Sequence, residues 1–523
     1  MLAFVRSNIR LIVLNLLAGT SVLGFASQAA AQDAAARQAA LQPEATAERL
    51  LDARSARPMR RGDDRHTALR RPKGPPGRII RNINPQIQPA VTQPGPVRPL
   101  PVGPLAPIGA AAEAAGINLH LLFIDAYYNN FDMGVIKGIS ANTGLLIAGA
   151  DFDMGRIAGI NGGTFHVLET VHTLRTHINN FAPAYGDLTA GFEPVFPATA
   201  SQFSVLSYEQ KLLDGAMTVE VGRSNPNRAF NLPIQGNFVS NWNNVWYQSA
   251  GVKVPTLASW MARVSYNITP AWYVQAGAYE DNPRAVFQYG FDWDTRTSTG
   301  ALALAEIGYK TDFTTTLYPN RFELLGFYNS SQRTDPAFSA RGRSIVFNPT
   351  DPARTQDGSA GFIFNAQSVV WRADGGTEAG NLHPTSLVAF ASVSAAPYGI
   401  VPVTAEAYGG FTLQSPLQSR PYDSIGVKFH WTQLSNSEQS FLQMSNIAAG
   451  GAGYFKSRNS FAYELNAHIQ IAQYIAIEPT IQYFQNANNF YNPRSTRVAR
   501  DGFFFGGTLQ VAVGQLLGLS SAP

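Results

Sequence analysis

Two back-to-back runs of strict alternation near the end of the chain constrain its fold more than any other feature. Phe461, Tyr463, Leu465, Ala467, Ile469 and Ile471 take every second position, with Ala462, Glu464, Asn466, His468, Gln470 and Ala472 between them. After Gln473 and Tyr474 the pattern restarts as Ile475, Ile477, Pro479, Ile481 and Tyr483 against Ala476, Glu478, Thr480, Gln482 and Phe484. A period of two makes β-strands with one apolar and one polar face. Both runs are long for a globular strand, and the short gap reads as a tight hairpin. A soluble sandwich would hide the apolar face in a core. A membrane barrel would turn it to lipid and keep the polar face in a watery lumen.

Composition weighs between these outcomes. Charged residues are 14% of the chain, against about 25% in soluble proteins. Beyond the N-terminus no apolar run reaches the roughly 20 residues of a transmembrane helix. Low charge without a spanning helix suits a chain whose apolar residues occupy one position in two. The expected fold is all-β, a transmembrane antiparallel β-barrel. There is no cysteine, which excludes disulfides and thiolate metal sites.

Residues 1–31 read as a secretory signal peptide. Arg6 and Arg10 precede a mostly apolar Leu11 to Ala26, and Ala29-Ala30-Ala31 offers a cleavage site before Gln32. A membrane anchor is the rival reading, but Asn15, Gly19 and Ser21 break the apolar run. Residues 32–108 then change character. Arg54, Arg57, Arg60, Arg61, Arg65, Arg70, Arg71, Lys73, Arg78 and Arg81 lead into Pro85, Pro89, Pro94, Pro96, Pro99, Pro101, Pro104 and Pro107. Proline and like charge at this density bury no core, so a disordered periplasmic tether is expected. Fifteen Lys/Arg against six Asp/Glu give residues 1–108 a formal +9; the whole chain is +4, so residues 109–523 carry −5. The basic balance thus belongs to the leader and tether. Contact of the tether with peptidoglycan or anionic lipid is expected ahead of nucleic-acid binding, and no nucleic-acid partner is assigned.

From Ile117 onward the chain reads as strands and turns, so the barrel domain is expected over 109–523. Leu145 to Asp153 forms one strand, Gly159, Gly162 and Gly163 a turn, and Thr164 to Leu168 begins the next strand. Asp214-Gly215 and Thr269-Pro270-Ala271 mark two hairpins. Further strands are expected at 302–310, 321–328, 362–372, 387–393, 403–413, 424–432 and 503–517. At 302–310, Leu302, Leu304, Glu306 and Lys310 share a parity, and the facing of that strand stays open. Short turns alternate with longer connections, as in outer-membrane barrels.

These segments resemble the carbohydrate-selective porin family (OprB-type) of Gram-negative outer membranes. The resemblance is carried by LLIAGADFDMGRIAGINGGTFHVLETVHTL (145–174), LLDGAMTVEVGR (212–223), ARVSYNITPAWYVQAGAYEDNP (262–283), ALALAEIGYK (301–310) and IAQYIAIEPTIQYFQNANN (471–489), in the family's order. It implies a barrel of 16 strands in the outer membrane, passing glucose and similar sugars by diffusion. It also implies insertion by the barrel assembly machinery, and it leaves a homotrimer open. The Arg/Pro tether and a C-terminus without a terminal aromatic depart from the family pattern.

Signals for catalysis are thin. His166, His172 and His177 cluster around Glu169, but same-face His166 and His172 on a strand would sit about 20 Å apart, too far for one metal. Gly159 to Gly163 lacks the helix that phosphate binding needs. No catalytic, cofactor or metal residue is therefore assigned, and no cofactor or turnover is expected. The polar faces offer another use. A sugar is neutral, rich in hydroxyls and apolar on its ring faces, so a pore selecting it needs carboxylates and Arg/Lys to trade hydrogen bonds with the hydroxyls, plus aromatic rings for the faces. By parity the expected pore-lining set is His166, Glu220, Arg263, Gln275, Glu406, Lys428, His430, Glu464, His468, Gln470, Glu478 and Gln482. A general porin without sugar preference and a soluble secreted β-rich binding protein remain the alternatives.

Overall fold

The computed structural model describes residues 103–176, 178–189, 201–230, 249–252, 258–282, 294–378, 380–453 and 456–520. The expected leader and nearly all of the tether lie outside the described residues, as does His177. Sixteen strands close into one barrel in which every neighbour is antiparallel and β1 meets β16. They are β1 (Ile117–Asn129), β2 (Ser140–Asp153), β3 (Gly163–Thr176), β4 (Ser201–Leu212), β5 (Met217–Ser224), β6 (Ser259–Asn267), β7 (Trp272–Asp281) and β8 (Gly300–Lys310). The second half comprises β9 (Asn320–Ser339), β10 (Ala353–Arg372), β11 (Ser386–Tyr398), β12 (Val403–Gln414), β13 (Ser424–Leu434), β14 (Asn459–Ala472), β15 (Ile475–Gln485) and β16 (Gly502–Val511). The sixteen-stranded antiparallel barrel is the expected fold.

Local chemistry explains the turns. At the Asp214-Gly215 hairpin, Leu213, Asp214 and Gly215 all have positive φ (53°, 54° and 87°), and Leu212 pairs with Met217. Asp and Gly tolerate that region best. Between β14 and β15 only Gln473 and Tyr474 intervene, with Tyr474 at φ 70°. Asp153 caps a single helical turn, α1 (Met154–Ala158), which Gly159 ends at φ 74°. That turn of helix was not expected beside the glycines. The opposite end of the barrel carries the longer connections, notably 177–200, 225–258, 435–458 and 486–501.

Alternation sets the facing. Leu465 is 48% exposed while its neighbour Glu464 is 6%. Tyr463, Ile481, Phe411, Val427 and Phe429 are likewise exposed, and His468, Gln482, Glu406, Thr412 and Lys428 are buried inside. Rings gather at both ends of the outward belt. Tyr463, Tyr483 and Phe503 form a chain at the long-loop end, and Trp272, Tyr309 and Phe322 another at the short-turn end. Two aromatic girdles around an apolar belt are what a bilayer's two interfaces select. The soluble alternative gives way to this surface.

Some boundaries shift. The strand expected to reach Leu517 stops at Val511, because its partner β15 begins at Ile475, opposite Val511. Beyond it lies a turn of helix, α2 (Val513–Leu516). β9 and β10 run about a dozen and nine residues past the expected 321–328 and 362–372. Their extra length is polar and bulged near Asp357 to Ser359, so it carries no apolar alternation to read.

Charge tolerance should differ between adjacent positions of β14. Leu465→Arg, on the outward belt, is expected to cost about 2–4 kcal/mol in a urea unfolding titration of the reconstituted barrel. Asn466→Arg, on the inward side, is expected to fold with wild-type yield.

Candidate functional site

The inward wall is built from polar side chains in hydrogen-bonded groups that cross from strand to strand. On β5 and β6, Arg263 holds Glu220 through Nη2 at 2.8 Å and Nε at 3.2 Å, and reaches Glu209 of β4 at 3.4 Å. Ser207 donates to the other Glu220 oxygen at 2.7 Å, and Arg228, from the connection after β5, pairs with it too. On β1 to β3, Asp151 lies 2.6 Å from His166 Nδ1 and 3.0 Å from His120 Nε2. On β7 to β11, Tyr273 Oη lies 2.9 Å from Glu306 and 2.8 Å from Glu323. Gln275 donates to Glu306, Arg321 grips Glu323 through two nitrogens, and Asn365 links Glu323 to Ser392.

The C-terminal strands repeat the theme. His430 Nε2 lies 2.9 Å from Glu406, and Lys428 Nζ lies 3.4 Å from Glu464. Asn466 and Gln482 donate to the two Glu464 oxygens at 2.6 and 2.7 Å. His468 Nδ1 sits 2.8 Å from Glu478, whose other oxygen accepts from Thr508. Gln470 takes Asp423 on its backbone N–H.

All twelve residues picked by parity are therefore buried on the inward side, and most meet one another or a neighbour of opposite charge. His166 and His172 share that side, but His166 is engaged by Asp151 and His172 stands opposite Leu145. Sequence reasoning missed His120, Tyr273, Arg321 and Glu323. Arg321 and Glu323 alternate with Phe322 and Leu324, a signal present in the sequence but masked by the inward Leu325 and Phe327 that follow.

Segments from the long-loop end fold onto the wall. The helix α3 (Ile178–Tyr185) sets Phe181 and Tyr185 against Tyr128 and Phe504. The residues after it lock onto 486–501. Asn488 N donates to Asp187 at 2.6 Å, Thr189 donates to the same carboxylate, and Tyr491 N donates to Gly186 O. Burial pushes the Asp187 carboxyl up from its ordinary value against these donors. The connection 225–258 touches the wall at both described ends. Phe230 packs edge-on to Tyr279, and Gln275 donates to Ala229 O. Asn329 donates to Ala250 O, and Ser249 donates to Val403 O. This contact settles the facing left open on β8. Leu302 and Leu304 point inward, covered by Phe230, Ala250 and Val252.

A closed barrel with an apolar belt and a polar, loop-narrowed interior is the architecture of a channel. The family described as carbohydrate-selective porin, OprB family, matches residues 139–513. The chain belongs to this family. Porin B of Pseudomonas aeruginosa is 24% identical over 294 residues, 53% of this chain and 62% of that protein, so less than two thirds of the relative is matched. The high-pH structure of Pseudomonas putida OprB superposes with a TM-score of 0.65 at 19% identity, over 77% of this chain and 95% of that one. Family and barrel together place this OprB-family chain in the outer membrane of a Gram-negative bacterium.

The Arg321–Glu323 pair gives a test of the wall. Arg321→Met leaves Glu323 buried without its main partner and is expected to cost about 3–5 kcal/mol. The double variant Arg321→Met/Glu323→Leu is expected to recover most of that loss in the same chemical-denaturation measurement.

Proposed function

We propose that this OprB-family barrel is a passive diffusion channel for monosaccharides such as glucose, and that the twelve inward residues line its path. The observation that carries the reading is the pairing of charge on the wall. Glu220 faces Arg263 and Arg228, Glu323 faces Arg321, Glu464 faces Lys428, and Glu406 and Glu478 face histidines. A wall of one sign would concentrate ions of the other. A wall of pairs presents donors and acceptors with little net field, which suits a neutral solute covered in hydroxyls. The apolar belt sits in outer-membrane lipid, and insertion by the barrel assembly machinery belongs to the same proposal. The tether 32–108 is proposed to reach peptidoglycan or anionic lipid.

Swelling of proteoliposomes in glucose, against neutral solutes of equal size, tests the claim. Wild-type barrels are expected to favour glucose. Arg263→Ala and Glu464→Gln, each of which leaves a partner uncompensated, are expected to lower that preference while raising ion selectivity. A preference that is absent from the start, or unmoved by substitutions across the inward set, makes this a general porin instead.

A further inference from the structure

We propose that Tyr408 is a stacking platform on which a pyranose ring pauses inside the channel, an inference that rests on the sugar-channel reading above. Tyr408 lies in the middle of β12 and faces inward, opposite the buried Ser392 of β11 and the buried His430 of β13. Other inward rings, such as Tyr128, Tyr279, Phe390 and Phe504, are buried. Tyr408 keeps part of its surface open.

The ring is held from two sides. Lys428 Nζ stands 5.6 Å from its centroid. The His430 ring meets it edge-on, centroids 5.8 Å apart at 87°, and is itself fixed by Glu406 at 2.9 Å. A ring already immobilised loses little further freedom when a solute settles on it. Its inward neighbours along and across the sheet, Gly410 and Ser392, carry little or no side chain. At Gly410 none is possible, because a Cβ would come within 1.9 Å of Val427 O. The Phe390 ring lies over Gly410 instead, and with Ser392 small Tyr408 still keeps part of its surface open.

Charge decides what can use the platform. Lys428 already supplies a positive charge at the ring, so a cationic solute is disfavoured. Glu406 and Glu464 nearby disfavour an anion. A neutral pyranose meets neither penalty. Its C–H face carries slight positive charge and settles on the negative face of an aromatic ring, while its hydroxyls stay in water or on the polar wall. Such contact is weak, as a channel requires for release.

Single-channel current block by glucose and by mannitol, an acyclic polyol, reads the proposal directly. Tyr408→Ala is expected to weaken glucose block about two- to ten-fold, leaving mannitol block and the cation-to-anion permeability ratio unchanged. Tyr408→Phe is expected to behave as wild type. Tyr408→Leu, which keeps bulk without a π face, is expected to match the alanine variant and serves where that variant fails to assemble. Unchanged glucose block in Tyr408→Ala or Tyr408→Leu overturns the platform. So does an equal change for glucose and mannitol, which marks a wider pore only. Wild-type barrels that conduct ions but show neither glucose block nor glucose permeation overturn the sugar-channel reading first, and the platform with it.

Discussion

Everything in this barrel depends on the hydrogen bonds that join β1 to β16. In a bilayer an open sheet edge leaves N–H and C=O groups that hydrocarbon cannot satisfy, so the sheet must close. Closure here runs from Phe123 opposite Val511 to Asn129 opposite Phe505. Below Phe123, β1 continues to Ile117 while β16 has already ended. The segments that flank the barrel, 103–115 and 513–520, complete that stretch of the seam. The turn α2 packs on β1, and the segment 103–115 crosses it, with Leu105 N donating to Leu517 O at 2.9 Å and Arg156 reaching Glu113 O at 2.7 Å. Gly103 and Gly109 lie so close to the Leu517–Leu519 backbone that a Cβ at either would collide with it.

Closure turns a period of two into an inside and an outside. Bulky apolar residues go outward, so the interior must be stabilised by other means. Where the inward side is polar, acids meet bases and amides across neighbouring strands. Where it is apolar, as at Leu302, Leu304 and Leu325, part of the 225–258 connection covers it. These two devices share the wall between them. Charged groups such as Glu220, Glu323 and Glu464 keep partners there, since a buried charge without one costs several kcal/mol.

How much of this a reader of the sequence can see follows from the same division. The C-terminal hairpin is legible to the residue at β15, because an exposed apolar row and a buried polar row leave one register only. The inward set is legible for the same reason. β8 is not, since its inward leucines look outward-facing until the covering segment is known. The polar tops of β9 and β10 are not legible either. Their inward residues, such as Asn329, Ser331 and Asp335, are buried but polar, and the outward ones are polar too, so no apolar alternation marks them. Arg321 and Glu323 hide for a third reason. Their strand changes from polar to apolar on one face partway along, so no single parity rule describes it.

The wall and the infolded segments also divide the control of passage. Charge on the wall is held mostly by short contacts within the sheet, such as Lys428 to Glu464, with Arg228 of the 225–258 connection added to the Glu220 group. Space inside the barrel is taken up by α3 and the described ends of the 225–258 connection, the latter held by the wall at Gln275, Asn329 and Val403. Because the anchors of 225–258 lie on β7, β9 and β12, loosening one leaves the others in place. Size and chemical preference therefore rest largely on different residues, with Gln275 and Arg228 serving both. A change in one pair can alter what the channel favours without altering how wide it is, and a change in a loop anchor can do the reverse.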